Sequence, residues 1–398
     1  MRAYAVAVAL VVSLVAPATS WASLQSALEQ ALRVPHVSVA STGAVVVDLT
    51  TGETVYSRNA SLSLLPASNE KLAVTYAALT ALGPSFRIET DVLGEGHQVG
   101  TTWQGDLVLK GYGDPTLSSA DLVDLARQVR AGGITRITGS VLGDESWFDT
   151  SRTAPGWKAS FYISESAPLS ALIVDRGRFG RFTSHDPALA AAQLFRSALM
   201  RAGVRVGGGA EHGTADDEAE PLASVDSPTI AAIVRWMDRV SDNFVAEMLV
   251  KELGAVQGTR GTTAAGLGVV TGLLAAAGVP LDGVRLVDGS GLSLSDRLTP
   301  SALASLLSVM WSDFEVRLEV IASLPLAGRT GTLQDRMRRG AATGVVRAKT
   351  GTTSNASALS GFVADRYVFS ILQNGRPISW TWARIAQDRF ATVLAASQ

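Results

Sequence analysis

Ser68 and Lys71, in the string Ser68-Asn69-Glu70-Lys71, are three residues apart, a separation that sets a hydroxyl beside an amine when the segment is helical. A serine hydroxyl is almost wholly protonated at neutral pH, and an adjacent amine that takes its proton turns it into a nucleophile. Two more strings follow along the chain, Ser241-Asp242-Asn243 and Lys349-Thr350-Gly351-Thr352. Ser241 can relay a proton to a leaving amine, and the Asn243 amide can hydrogen-bond a substrate carbonyl. Lys349 offers a fixed cation to a carboxylate, while Gly351 in a strand leaves room for a substrate backbone to lie alongside. Together these residue types describe acyl transfer through a serine-bound intermediate. Each string alone has a plainer explanation: a Ser or Asp that caps a helix, a solvated lysine, or a lysine that keeps a strand edge from aggregating.

The chemistry needs elements that hold these strings in place, and the flanking residues supply them. Pro66 suits a helix start, Leu72, Tyr76, Leu79 and Leu82 recur at helical spacing, and Gly83-Pro84 is a stop. Ser68 then sits at a helix N-terminus, whose partial positive charge favours the oxyanion formed on attack. Ser241-Asp242-Asn243 heads a second apolar-periodic helix. The third string lies in the first of three consecutive strands expected at 344–352, 358–363 and 367–372. Earlier segments read as a helix over 24–32 and a hairpin, 44–49 and 54–57, around Thr51-Gly52.

From 87 to 223 the character changes to short strands and many glycines, with Trp103, Trp147, Trp157 and an acidic loop at 216–220, and we read this stretch as an inserted, mainly β domain. Helices return at 262–277 and 301–312, and a last one at 380–396 is expected to pack on the sheet. Its apolar Trp382, Ile385, Phe390, Val393 and Leu394 also suit a membrane surface, but Arg384, Asp388 and Arg389 form no basic stripe.

Met1-Arg2, the apolar run 4–16 and Ser20-Trp21-Ala22 read as a signal peptide over 1–22, cleaved after Ala22; a retained anchor is the alternative. No later apolar run reaches the ~18 residues a membrane span needs. The absence of cysteine excludes disulfides and thiolate chemistry. Lys plus Arg number 34 against 36 for Asp plus Glu, a net charge of -2 that argues against a nucleic-acid partner. The histidines, His36, His97, His185 and His212, are scattered without ligand spacing, so neither metal nor cofactor is expected.

The three strings, in this order, match the S-x-x-K, S-D-N and K-T-G set of penicillin-recognising serine enzymes. With 109–115, 143–149, 288–293 and 324–328, they make the chain resemble the D-alanyl-D-alanine carboxypeptidase/endopeptidase type of low-molecular-mass penicillin-binding protein, peptidase family S13. The resemblance implies an α/β (α+β) fold: a β-lactamase/transpeptidase-like domain formed by 23–86 and 224–398, its antiparallel sheet flanked by helices. The stretch between Ser68 and Ser241 is shorter than is usual in that family, which leaves open how many of its inserted domains are present. Carried over, the roles are Ser68 as acylated nucleophile, Lys71 as its base, Ser241 and Asn243 as the facing wall, and Lys349 as the carboxylate-binding cation. Thr350 and Thr352 would help bind that carboxylate, and the N–H groups of Ser68 and Thr352 would form the oxyanion hole. Peptidoglycan stem peptides ending in D-Ala-D-Ala are the implied substrates, β-lactams the covalent inhibitors, and the periplasm or cell-wall space the location, with at most peripheral membrane contact. A serine β-lactamase, which deacylates rapidly, and a catalytically idle peptidoglycan- or β-lactam-binding module are the alternatives.

Overall fold

A computed structural model describes residues 18–398 of the chain. The apolar run 4–16 of the expected signal segment lies outside the described residues. Among the described residues no helix is long and apolar enough to cross a membrane.

The chain opens with helix α1 (Ala18–Leu32), followed by strands β1 (Thr42–Asp48) and β2 (Thr54–Arg58) and, after a 3₁₀ turn at Ala67–Glu70, by helix α2 (Lys71–Ala81). Gly52 makes the hairpin turn at φ +73°, as the Thr51-Gly52 pair leads one to expect. A second group of elements comes next: β3 (Glu89–Val99), β4 (Thr102–Gly111), α3 (Ser119–Ala131), β5 (Arg136–Ile137), β6 (Val141–Asp144), β7 (Arg178–Phe179), β8 (Phe182–Thr183), α4 (Pro187–Arg201), β9 (Arg205–Val206), β10 (Ala210–His212) and β11 (Glu220–Asp226). The chain then runs through α5 (Ile230–Val240), α6 (Asn243–Val256), α7 (Thr263–Ala276), α8 (Pro300–Ser312) and α9 (Arg317–Ser323) to β12 (Val346–Thr353), β13 (Ala356–Val363), β14 (Tyr367–Asn374) and α10 (Trp380–Ala396).

The first and last strands meet in one antiparallel sheet of order β12-β13-β14-β1-β2. Alternation along the strands divides its side chains between two cores. Ala44, Val46, Leu359, Phe369 and Ile371 face α1 and α10 with Leu28, Leu32, Phe390 and Leu394. Val45, Ala358, Phe362, Val368 and Leu372 face the other way, onto α2, α5, α6 and α8. α6 is buried without a break from Phe244 to Gly254, which makes it the central helix of that layer.

The middle of the chain builds a separate sheet of order β10-β6-β4-β3-β11, with β5 and β9 attached beside β4. It is mixed: β3 pairs antiparallel with β4 and β11, while β6 pairs parallel with β4 and with β10. The stretch read as mainly β also holds α3 and α4, which pack Leu122, Leu125, Phe195 and Leu199 against Trp103, Leu107 and Leu109. Parallel pairs need covered crossovers, and these helices provide the cover.

α10 packs on the sheet through Phe390, Ala391 and Leu394. Phe390 is fully buried, with the Tyr56 ring 5.5 Å away and edge-on and the Phe369 ring at 6.5 Å. Buried Gln387 donates to Ser357 Oγ at 2.9 Å and to Gln373 Oε1 at 3.0 Å, fixing the helix to the strands beneath it. Phe390→Ala is therefore expected to destabilise the protein by about 3–5 kcal/mol, read from urea unfolding followed by circular dichroism. A loss under about 1 kcal/mol would mean that this face of α10 is not part of the core.

Candidate active site

Ser68 stands in the 3₁₀ turn Ala67–Glu70, one residue after Ala67, which has φ +46°. The regular helix expected from Pro66 begins only at Lys71, because two neighbouring segments press on the turn. Gly291, at φ +80°, comes so close that a Cβ there would lie 1.9 Å from the Ala67 carbonyl oxygen. On the other side, a Cβ on Gly351 would lie 2.9 Å from the Pro66 carbonyl oxygen and 3.1 Å from Ala67 Cβ. The room left by Gly351 is thus taken up by the protein's own serine-bearing turn, which corrects the expectation that it accommodates a substrate backbone.

Lys71 is completely buried, and its amine reaches three oxygens: Ser68 Oγ at 3.0 Å, Asn243 Oδ1 at 2.8 Å and the Ser290 carbonyl at 2.6 Å. These match the three positions around a lysine nitrogen. Burial pulls the Lys71 pKa down to about 8 against the opposing charges of Asp288 and Glu247. Lys349, equally buried, donates to Ser241 Oγ at 2.8 Å and to the Thr350 carbonyl at 3.1 Å. Burial first, and then the Lys71 charge, bring its pKa to about 7, with Asp238 acting in the opposite direction.

Ser241 reaches the site by an unusual backbone. It caps α5 in the left-handed conformation, φ 60° and ψ 46°, and so turns the chain directly into α6. Asp242 accepts from Val245 N and caps α6, while its other oxygen takes Arg176 Nη2 and Trp236 Nε1. Asn243 is left free to bridge, with Oδ1 on Lys71 and Nδ2 donating to the Glu165 carbonyl at 3.0 Å. A non-glycine residue held left-handed costs about 1–3 kcal/mol, which these surrounding bonds offset.

A cleft of about 490 Å³ joins these groups. Ser68, Ser241, Asn243, Thr350 and Thr352 line it, and the two lysine amines lie behind their hydroxyl and amide groups. β12 is the edge strand of its sheet. Its outer side is covered as far as Ala348, where Ala348 N donates to the Pro325 carbonyl and Ala327 N to that of Val346. Beyond Ala348 the edge at Thr350–Thr352 faces the cleft, in position to pair with an extended peptide.

Sequence reasoning missed five contributors. Asp238, buried on α5, accepts from Thr75 and Ser323 and faces both lysines. Ser290 lies in 288–293, a stretch that carries only the family resemblance in the sequence, and its carbonyl anchors Lys71. Thr332 hydrogen-bonds Thr350 Oγ1 at 2.7 Å, Arg384 reaches Thr352 Oγ1 at 3.5 Å, and Glu165 holds Asn243 through its backbone. The 288–293 stretch was visible as a motif. Thr332, Arg384 and Glu165 arrive from distant loops and a helix, and no local pattern distinguishes them.

The D-Ala-D-Ala carboxypeptidase 3 (S13) family matches residues 24–181 and 179–397. A D-alanyl-D-alanine carboxypeptidase of an Actinomadura species is 34% identical over 94% of this chain and 84% of its own. Carboxypeptidase DacB of Mycolicibacterium smegmatis is 32% identical over 96% of this chain and 86% of its own. The fold is similar to that of penicillin binding protein 4 (dacB) from Haemophilus influenzae, with a TM-score of 0.81, 21% identity and coverage of 93% of this chain and 98% of that one.

Lys349 carries its proton below about pH 7 and loses it above. KM for a carboxylate-ended peptide is therefore expected to climb as pH rises through that value, while kcat rises toward about pH 8 as Lys71 loses its proton. Asp238→Asn removes the anion that supports the Lys349 charge, so it moves the climb to lower pH. A KM that stays flat between about pH 6 and about pH 9 in the wild type contradicts the carboxylate-binding role.

Proposed function

The chain belongs to the D-Ala-D-Ala carboxypeptidase 3 (S13) family, and from that membership we propose how its own residues carry out the reaction. The protein is a serine-type D-Ala-D-Ala carboxypeptidase that acts on peptidoglycan stem peptides and is inhibited by β-lactams. The observation that carries the reading is the pair of lysine–serine contacts, Lys71 with Ser68 and Lys349 with Ser241, on one cleft beside a free strand edge.

In this reading the stem peptide extends along Thr350–Thr352, and its terminal carboxylate is held by Lys349 and the hydroxyls of Thr350 and Thr352. Arg384, beside Thr352, adds positive charge at the same end. Ser68 Oγ attacks the penultimate carbonyl carbon while Lys71 Nζ takes the hydroxyl proton. The resulting oxyanion is met by the N–H groups of Ser68 and Thr352. As the C–N bond breaks, Ser241 Oγ gives its proton to the departing D-alanine nitrogen and recovers one from Lys349. The proton held by Lys71 passes back to the neutral Lys349, so Lys71 is neutral when water attacks the Ser68 ester. Lys71 takes the water proton and returns it to Ser68 Oγ as the ester C–O bond breaks, and the shortened peptide leaves, so kinetics are ping-pong. A cross-link is cut by the same steps when the leaving amine belongs to a neighbouring stem, which makes endopeptidase action a second output of the same residues.

Rapid deacylation in class A β-lactamases relies on a glutamate that activates water. Glu165 meets the cleft through its carbonyl, and its carboxylate makes no hydrogen bond to Ser68 or Lys71, which favours the peptidase. The protein works outside the cytoplasm; cleavage after Ala22 and an inserted domain over 87–223 complete the proposal.

Intact-mass measurement with excess benzylpenicillin tests the assignment. The wild type should gain one long-lived adduct, Ser68→Ala none, and Lys71→Ala should acylate slower by on the order of a thousandfold. Penicillin consumed without an adduct would indicate a β-lactamase, and penicillin left intact would indicate a binding module without chemistry.

A further inference from the structure

Directly beneath the serine-bearing turn lies a group of acidic side chains that the reaction does not use. Glu70, the residue before Lys71, is 1% exposed, and Asp288 and Asp296 are fully buried beside it. One oxygen from each of the three lies within 4.8 Å of the other two. Glu247, on α6, adds a fourth carboxyl facing the same spot. Lys71, which feels the charges of Asp288 and Glu247, is already engaged with Ser68, Asn243 and the Ser290 carbonyl.

Hydrogen bonding divides these carboxyls into two kinds. Asp288 accepts from the amides of Gly291, Leu292 and Ser293, from Ser290 Oγ and from Trp157 Nε1. Glu247 accepts from Gly289 N and Ser290 N. Glu70, by contrast, receives no donor on either oxygen and Asp296 none on Oδ2; their polar neighbours are other carboxyls, Asp296 within hydrogen-bond reach of Glu70 and Asp288 within reach of Asp296. Buried carboxylates are found paired or on metals because the desolvated charge is otherwise very unfavourable. Here the unmet capacity is concentrated on two side chains that point at one another and at Asp288.

We infer that Glu70, Asp288 and Asp296 form a calcium-binding site under the Ser68–Lys71 turn. The donor set is oxygen only, which suits a hard cation and disfavours zinc or copper. Oxygens on calcium stand at about 2.3–2.6 Å from the ion, so their mutual separations run to about 5 Å and cover the observed spread. Magnesium demands a tighter octahedron and gives up its waters reluctantly, which carboxyls this deeply buried do not favour. The expectation that this chain binds no metal rests on histidine spacing, and these three carboxyls, two of them far from Glu70 in sequence, fall outside that test. An ion here ties the start of α2 to the 288–296 loop, whose Ser290 carbonyl fixes the Lys71 amine, so it acts by positioning. Protons are the rival occupants: burial and mutual repulsion push Glu70 well above the usual carboxylate range and Asp296 up to about 9.

Native mass spectrometry of the purified protein dialysed against calcium chloride, and separately against magnesium chloride, is the direct test. One retained calcium per chain is expected, together with a melting temperature about 5 °C higher in millimolar calcium than in chelator. Glu70→Gln and Asp296→Asn, checked for folding by circular dichroism, should each abolish both effects. If either variant fails to fold, terbium luminescence sensitised by Trp157 in the wild type, quenched by competing calcium, takes its place. A wild type that retains no calcium and melts at the same temperature with chelator overturns the proposal in favour of shared protons, as does calcium retention unchanged in both variants. None of these readouts depends on peptidase activity, so the calcium site can fail without affecting the assigned reaction.

Discussion

Two lysines buried side by side set the terms for the whole structure. Removing one ammonium from water is unfavourable, and the second makes the first worse by repulsion, so both are driven toward the neutral form. The proposed attack by Ser68 needs that outcome at Lys71, since a fully protonated amine accepts nothing. The proposed binding of a carboxylate needs the opposite at Lys349. Buried acids oppose the loss of charge on both: Asp238 acts on both lysines, and Asp288 and Glu247 support the charge of Lys71, which leaves the pKa of Lys71 at about 8 and that of Lys349 at about 7. The site is a balance of charges held away from solvent, with the two lysine amines behind the serine, asparagine and threonine side chains that line the cleft.

Such a balance requires rigid surroundings, and the fold supplies them at close quarters. β12 passes near enough to the serine turn to exclude a Cβ at Gly351, and the loop after α7 passes near enough to exclude one at Gly291. Asn69 spans the same gap by donating to the Lys349 carbonyl at 3.0 Å. Ala67 and Ser241 both have positive φ, 46° and 60°, so the Ser68 turn and the Ser241 turn each hold a strained residue. Strain of this kind persists only where neighbours over-determine the backbone, as the capped α6 and the anchored edge strand do here.

The middle of the chain is coupled to that site. Arg176, just before β7, bonds Asp242 of the Ser241-Asp242-Asn243 turn, and the Glu165 carbonyl receives Asn243. Arg152 and Glu145 form a two-pronged ion pair that steadies the stretch leading to Glu165. Two of the three side chains of that turn are therefore held by residues from the segment between 87 and 223, which gives this segment a structural share in the site.

Spacing made much of this legible. Ser68 and Lys71 are neighbours because helical geometry brings residues three apart together, and Lys349 lies on an edge strand because the last three segments alternate and turn as hairpins do. Composition also settled that no thiolate and no disulfide takes part. Those inferences are local, and local physics decides them. What the sequence could not determine is which distant groups share one small volume: that Ser290 meets Lys71, that Asp238 stands behind both lysines, that Glu70 finds Asp288 and Asp296, and that Gly351 is needed for a turn nearly three hundred residues earlier. Electrostatic shifts depend on burial and on distances between segments, and both come into being only when the sheet closes on its helices. The sequence determined the reacting groups, and tertiary packing decided their charge.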